Sequence, residues 1–132
     1  MIIVDSNVVI DIATADARWG AWSFEALERA VATDDAVIND IIYAELSAGF
    51  GQNELLDATL KDLRIGHAQI PRVARFLAGH AFRRYRQQRG TKTGVLSDFF
   101  IGAHAFATDA KLLTRDPELV RRYFPAVTLF SP

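Results

Sequence analysis

Four acidic residues of this 132-residue chain fall at positions where an α/β fold can use them together: Asp5, Glu45, Asp98 and Asp116. Asp5 closes the β-branched run Ile2-Ile3-Val4, and Asp116 comes after Leu112-Leu113-Thr114. Asp98 stands at a helix start after Gly94-Val95-Leu96-Ser97, and Glu45 lies about one helical turn beyond the short strand Ala36-Val37-Ile38. Ligands of parallel α/β sheets collect outside the carboxyl ends of the strands, so all four are within reach of one edge. If they meet there, two carboxylates about 4 Å apart repel by roughly 4 kcal/mol at an effective dielectric near 20. Several together therefore need a cation or must take up protons. The chain has no cysteine, so a metal must be held by oxygen or histidine nitrogen, and with only three scattered histidines oxygen is the better candidate. Magnesium suits such a set, because it prefers oxygen and keeps several waters; manganese is a substitute. One retained water can become a nucleophile, and phosphodiester hydrolysis is the natural reaction.

The elements that must position these residues emerge from the apolar pattern. Met1 to Val4 reads as a buried strand, with Ser6 or Asn7 capping the helix after it. Phe24 to Ala32 has helical spacing, Ala36 to Ile38 is a strand, and Asp40 to Ala48 and Asn53 to Leu63 are helices. Gly66 to Ile70 is a brief strand candidate, and Pro71 opens a long basic helix reaching about Gln88. Ser97 can cap a helix from Asp98 to Thr108. Lys111 to Thr114 reads as a strand, Pro117 starts a short helix, and Val127 to Phe130 is the last strand. The alternation implies a parallel sheet of about four to five short strands flanked by helices. With half its residues hydrophobic, the chain is expected to form one domain over residues 1–132. No apolar run is long enough to span a membrane and no secretory leader is evident, so a cytoplasmic protein is expected.

The net charge of −1 carries no global nucleic-acid signature, but its distribution is uneven. Acids dominate from Asp5 to Asp62. From His67 to Gly94 there are none, while Arg72, Arg75, Arg83, Arg84, Arg86, Arg89 and Lys92 accumulate. Such a run is either a solvated helix face or a phosphate-contacting surface.

Each carboxylate also has a plainer reading. Asp5 can be a turn former, Asp98 a helix-dipole partner, Asp116 an N-cap, and Glu45 a solvent-facing helix residue. Asp11, Asp40 and Asp109 are expected to cap or to be solvated, the histidines to pack or lie at the surface, and Gly102 to let its helix approach the sheet. Trp19, Trp22 and Phe24 read first as core and, if exposed, as a contact surface.

Four local patterns in order resemble those of PIN-domain nucleases, particularly VapC-type toxins: Ile3-Val4-Asp5-Ser6-Asn7-Val8-Val9-Ile10-Asp11, Ile41-Ile42-Tyr43-Ala44-Glu45-Leu46, Leu96-Ser97-Asp98-Phe99-Phe100-Ile101-Gly102-Ala103-His104-Ala105, and Leu112-Leu113-Thr114-Arg115-Asp116. The closing Arg121-Arg122-Tyr123-Phe124-Pro125 is similar as well. The resemblance implies that Asp5 and Asp98 are the leading magnesium ligands, that Glu45 and Asp116 complete the cluster, and that Asn7, Thr114 and Ser6 support it. It further implies RNA cleavage, a homodimer, and inhibition by a VapB-type antitoxin. The basic run then offers Arg83, Arg84, Arg86 and Arg89 as candidates to steer RNA. One departure is Asp109-Ala110, where that pattern has a glycine-containing turn. Two rivals remain: a phosphatase or phosphotransferase with Asp5 as nucleophile, and a PIN module without turnover that docks a partner.

Overall fold

A computed structural model describes residues 1–88, 90–92 and 94–132. Five strands, β1 (Ile2–Val4), β2 (Ala36–Ile38), β3 (Gly66–His67), β4 (Lys111–Leu113) and β5 (Leu129–Phe130), form one parallel sheet in the order β3-β2-β1-β4-β5. β1, β2 and most of β4 are buried, as expected of apolar strands covered on both faces. Register pairs Val4 with Leu113, so the next residue of each strand, Asp5 and Thr114, leaves the sheet beside the other.

Helices α1 (Ser6–Ala13), α2 (Gly20–Thr33), α3 (Asp40–Ser47), α4 (Asn53–Asp62), α5 (Arg72–Gln87), α6 (Leu96–Thr108) and α7 (Glu118–Tyr123) supply the crossovers and cover the sheet. Where these differ from the bounds expected of the sequence, local chemistry explains it. The cap of α1 is Asp5 itself, whose side chain accepts from the Ser6 amide, so neither Ser6 nor Asn7 fills that place. α2 starts at Gly20 rather than Phe24, after Asp16 has accepted from the Arg18 and Trp19 amides and turned the chain. α6 begins at Leu96 with Val95 at its cap, not Ser97. β3 and β5 are two residues each, shorter than their apolar runs suggest.

α6 ends on Asp109 with φ at +53°, the left-handed conformation that a glycine would adopt most easily. The geometry of that turn is thus kept with a different residue. Gly102 serves a close approach, but to α7 rather than to the sheet: a Cβ there would stand 2.7 Å from the Phe124 ring and 3.2 Å from Val120 Cγ2. Gly102→Ala is therefore expected to destabilise the fold by about 1–3 kcal/mol through overpacking, measured by chemical denaturation; an unchanged midpoint would show that α7 yields freely.

Candidate active site

Asp5 sits at the carboxyl end of the central strand, 8% exposed, with both carboxylate oxygens engaged. Oδ1 accepts from the Ser6 amide at 2.8 Å; Oδ2 accepts from Thr114 Oγ1 at 2.7 Å and from Asn7 Nδ2 at 3.2 Å. Thr114, fully buried, spends its one proton on Asp5 and accepts from Asn7 Nδ2 at 3.3 Å and from the Asp116 amide at 3.0 Å. A hydroxyl offers one donor and two acceptor sites, so Thr114 is saturated and ties the ends of β1 and β4 into one rigid corner. Asn7 completes it by accepting from the Arg115 amide at 3.1 Å.

Glu45, half-buried on α3, accepts from Ser6 Oγ at 3.3 Å and from Ser97 Oγ at 3.5 Å. α3 is held in turn by Asn39, whose Oδ1 accepts from the Ile42 amide and whose Nδ2 lies 3.1 Å from Nδ1 of buried His104 on α6. The two helices that carry Glu45 and Asp98 are thereby joined. Asp98 lies in the first turn of α6. Asp116 is exposed just ahead of Pro117, which holds the cap position of α7 in its place. Asp5, Asp98 and Asp116 line one cleft of about 290 Å³.

Electrostatics couples all four. Burial raises the Asp5 carboxyl, against the opposing bonds from Thr114 and Ser6, and the charge of Asp116 raises it further. Glu45 is raised by burial and by Asp5. Asp98 is pushed up to about 7 by burial and then by Asp5, Glu45 and Asp116, with only Lys92 opposing. Among the described residues no three acidic or histidine side chains stand in the geometry of a formed metal site. The donor set nonetheless fits a hard divalent cation: it is carboxylate oxygen throughout, runs from buried Asp5 through half-buried Glu45 and Asp98 to exposed Asp116, and its mutual repulsion is left unbalanced by any paired base.

Several other residues complete the picture, some against expectation. Asp11, expected to cap or be solvated, is 2% exposed; it accepts from Arg115 Nε at 2.8 Å, Arg115 Nη2 at 2.9 Å and Ser23 Oγ at 2.9 Å. Its position on the buried stripe of α1, beside Val8 and Val9, is the signal in the sequence that could have found it. His67 pairs with Asp40 at 2.7 Å on the surface, and His80 packs on Phe76. Trp19 and Trp22 meet edge to face, with Arg115 and Arg18 over Trp19, while Phe24 is exposed. Arg83, Arg84 and Arg86 lie on α5 and do not line the cleft, and Arg89 falls outside the described residues.

A parallel α/β sheet with an acidic cleft at its carboxyl edge defines the class of site. The family model for the PIN domain matches residues 2–125, and the chain belongs to that family. Solved structures share the fold. One is VapBC2 from Rickettsia felis bound to a DNA fragment from their promoter, at 20% identity and TM-score 0.75 over 100% of this chain and 99% of that one. Another is VapBC-1 from nontypeable Haemophilus influenzae, at 20% and 0.72 over 99% and 98%. A third is a toxin-antitoxin complex from Klebsiella pneumoniae, at 21% and 0.70 over 97% and 96%. No curated protein matches the sequence.

Because Asp98 holds a proton in the folded state that the unfolded chain has released, the metal-free protein should lose stability as pH rises from about 4 through about 7. Asp98→Asn should flatten that profile in thermal melts without divalent ions, and an identical profile would discount the repulsion. Arg115→Met leaves Asp11 buried and unpaired and should cost about 3 kcal/mol, the low end for a broken buried pair since Arg115 is part-exposed. Combining it with Asp11→Asn should recover most of the loss in denaturant titrations; no recovery would assign the cost to packing.

Proposed function

We propose that this PIN-domain protein is a magnesium-dependent endoribonuclease, the toxin of a type II toxin–antitoxin pair, held as a homodimer and neutralised by a VapB-type antitoxin. One observation carries the reading: Asp5, Asp98 and Asp116 line one cleft at the sheet edge, and Ser6 bonds Glu45 to the same corner. Such a cluster is costly to keep unless a cation is its ordinary occupant. The structural likeness to VapBC complexes supports the toxin assignment and the kind of protein partner.

Asp5 and Asp98 would hold the ion, with Glu45 and Asp116 completing the negative wall. When bound, magnesium supplies a water of lowered pKa and neutralises charge on the phosphate oxygens; manganese can substitute. The chain's own residues fix the geometry. Thr114 and Asn7 hold Oδ2 of Asp5 while Ser6 holds Oδ1, so that carboxylate cannot swing toward substrate. Ser6 and Ser97 orient the two oxygens of Glu45.

Purified protein should cleave single-stranded RNA with magnesium, stop on chelation, and recover when the ion returns. Asp5→Asn and Asp98→Asn should each lower the rate at least about 100-fold, the scale of losing one electrostatic interaction with the reacting centre. Full activity of either variant, or activity that survives chelation, would overturn the site.

A further inference from the structure

The wall of the acidic cleft carries two cations as well as the carboxylates: Lys92, between α5 and α6, and Arg122, in the last turn of α7. Elsewhere in the molecule several cations find a carboxylate. Arg115 has Asp11, Arg64 has Glu28, and Lys111 has Asp34. Among the described residues Lys92 and Arg122 have no carboxylate within ion-pair distance, although Asp5, Asp98, Asp116 and Glu118 line the same cleft. Positive charge held beside a negative cleft without collapsing onto it remains free for a ligand bearing the opposite charge.

Arg122 is turned toward Gln88 and Tyr123. Its Nη2 donates to Gln88 Oε1 at 3.4 Å, and its guanidinium lies 5.4 Å from the centre of the Tyr123 ring. Tyr123 donates from its hydroxyl to the same Gln88 oxygen at 2.7 Å. Lys92 is fixed at its backbone, where the amide donates to the Tyr85 hydroxyl at 2.9 Å, and its charge is near enough to oppose the upward shift of Asp98. Tyr85 and Tyr123 stand 6.4 Å apart between ring centroids, so the two cations are mounted on one aromatic wall. Arg84 also lies over Tyr123, at 5.4 Å, but does not line the cleft.

The size of the cleft indicates what these cations meet. At about 290 Å³ it lies at the small end of ligand pockets, roughly 300–1,000 Å³. A polymer too long for it must carry a neighbouring phosphate of its backbone along the same wall. That phosphate gains nothing from the four carboxylates and needs a positive partner. We propose that Lys92 and Arg122 form a phosphate subsite that grips the RNA backbone beside the bond cut at the acidic cluster, with Gln88 and Tyr123 holding Arg122 in place. The inference rests on the ribonuclease reading and locates the backbone grip on the cleft wall rather than on Arg83 and Arg86 of α5.

The test is the affinity of the full chain for a short fluorescein-labelled single-stranded RNA of mixed sequence, by anisotropy in chelator over a series of salt concentrations. Cleavage by the same protein is assayed separately with magnesium. Lys92→Ala with Arg122→Ala is expected to weaken binding at least about tenfold, the scale of one charge-assisted hydrogen bond. The salt slope should become shallower by about 0.7, the value for one single-strand phosphate that is no longer neutralised. Arg122→Lys should restore part of both, and Arg64→Ala, paired with Glu28 away from the cleft, should change neither. If wild-type protein binds and cleaves RNA while the double variant keeps the same affinity and slope, the subsite is refuted and the ribonuclease reading stands. If the wild-type protein neither binds nor cleaves RNA, both fall together.

Discussion

Carboxylates gathered at one edge of a sheet repel one another, and much of this architecture is what it takes to hold them there. The fold answers with short, saturated hydrogen-bonded connections rather than with buried bases. Thr114 spends all of its bonding capacity on the corner where β1 and β4 end, and Asn7 braces Asp5 and the backbone of Arg115 at once. These bonds lower the cost of a buried charge on Asp5 but do not cancel it, since its carboxyl is still raised by burial. The residual field is carried outward to Glu45 and Asp98.

Much of this is legible in the order of residues. Short apolar runs separated by helical spacing fix a parallel sheet, and a parallel sheet fixes the edge at which Asp5 and Asp116 emerge. Periodicity does not show caps whose chemistry is shared with the site. Asp5 is both strand end and helix cap, which leaves no separate capping residue to find. Nor can sequence spacing show Ser97 bonding to Glu45 across 52 positions, or Gln88 holding Arg122 and Tyr123.

Asp11 is the clearest case of a charge misjudged from sequence. A carboxylate is normally solvated, and the partner that makes its burial tolerable, Arg115, is 104 positions away. Beyond pairing charge, that bridge anchors the segment between Thr114 and Asp116. A half-buried ion pair thus stands next to the exposed acid of the cleft, with the ring of Trp19 packed against the Arg115 guanidinium.

The pairing of Ile2, Ile3 and Val4 with Lys111, Leu112 and Leu113 joins segments more than a hundred residues apart. β1 therefore leaves the ribosome long before its neighbour on one side. Long-range pairing of this kind delays folding until the later segment is available. The corner built on Asp5 and Thr114 has no partial form: a nascent chain that has not yet reached β4 carries three of the four acids without the frame that gathers them. Whatever chemistry those acids perform is withheld from the growing chain and becomes available in one step, when β4 takes its place in the sheet.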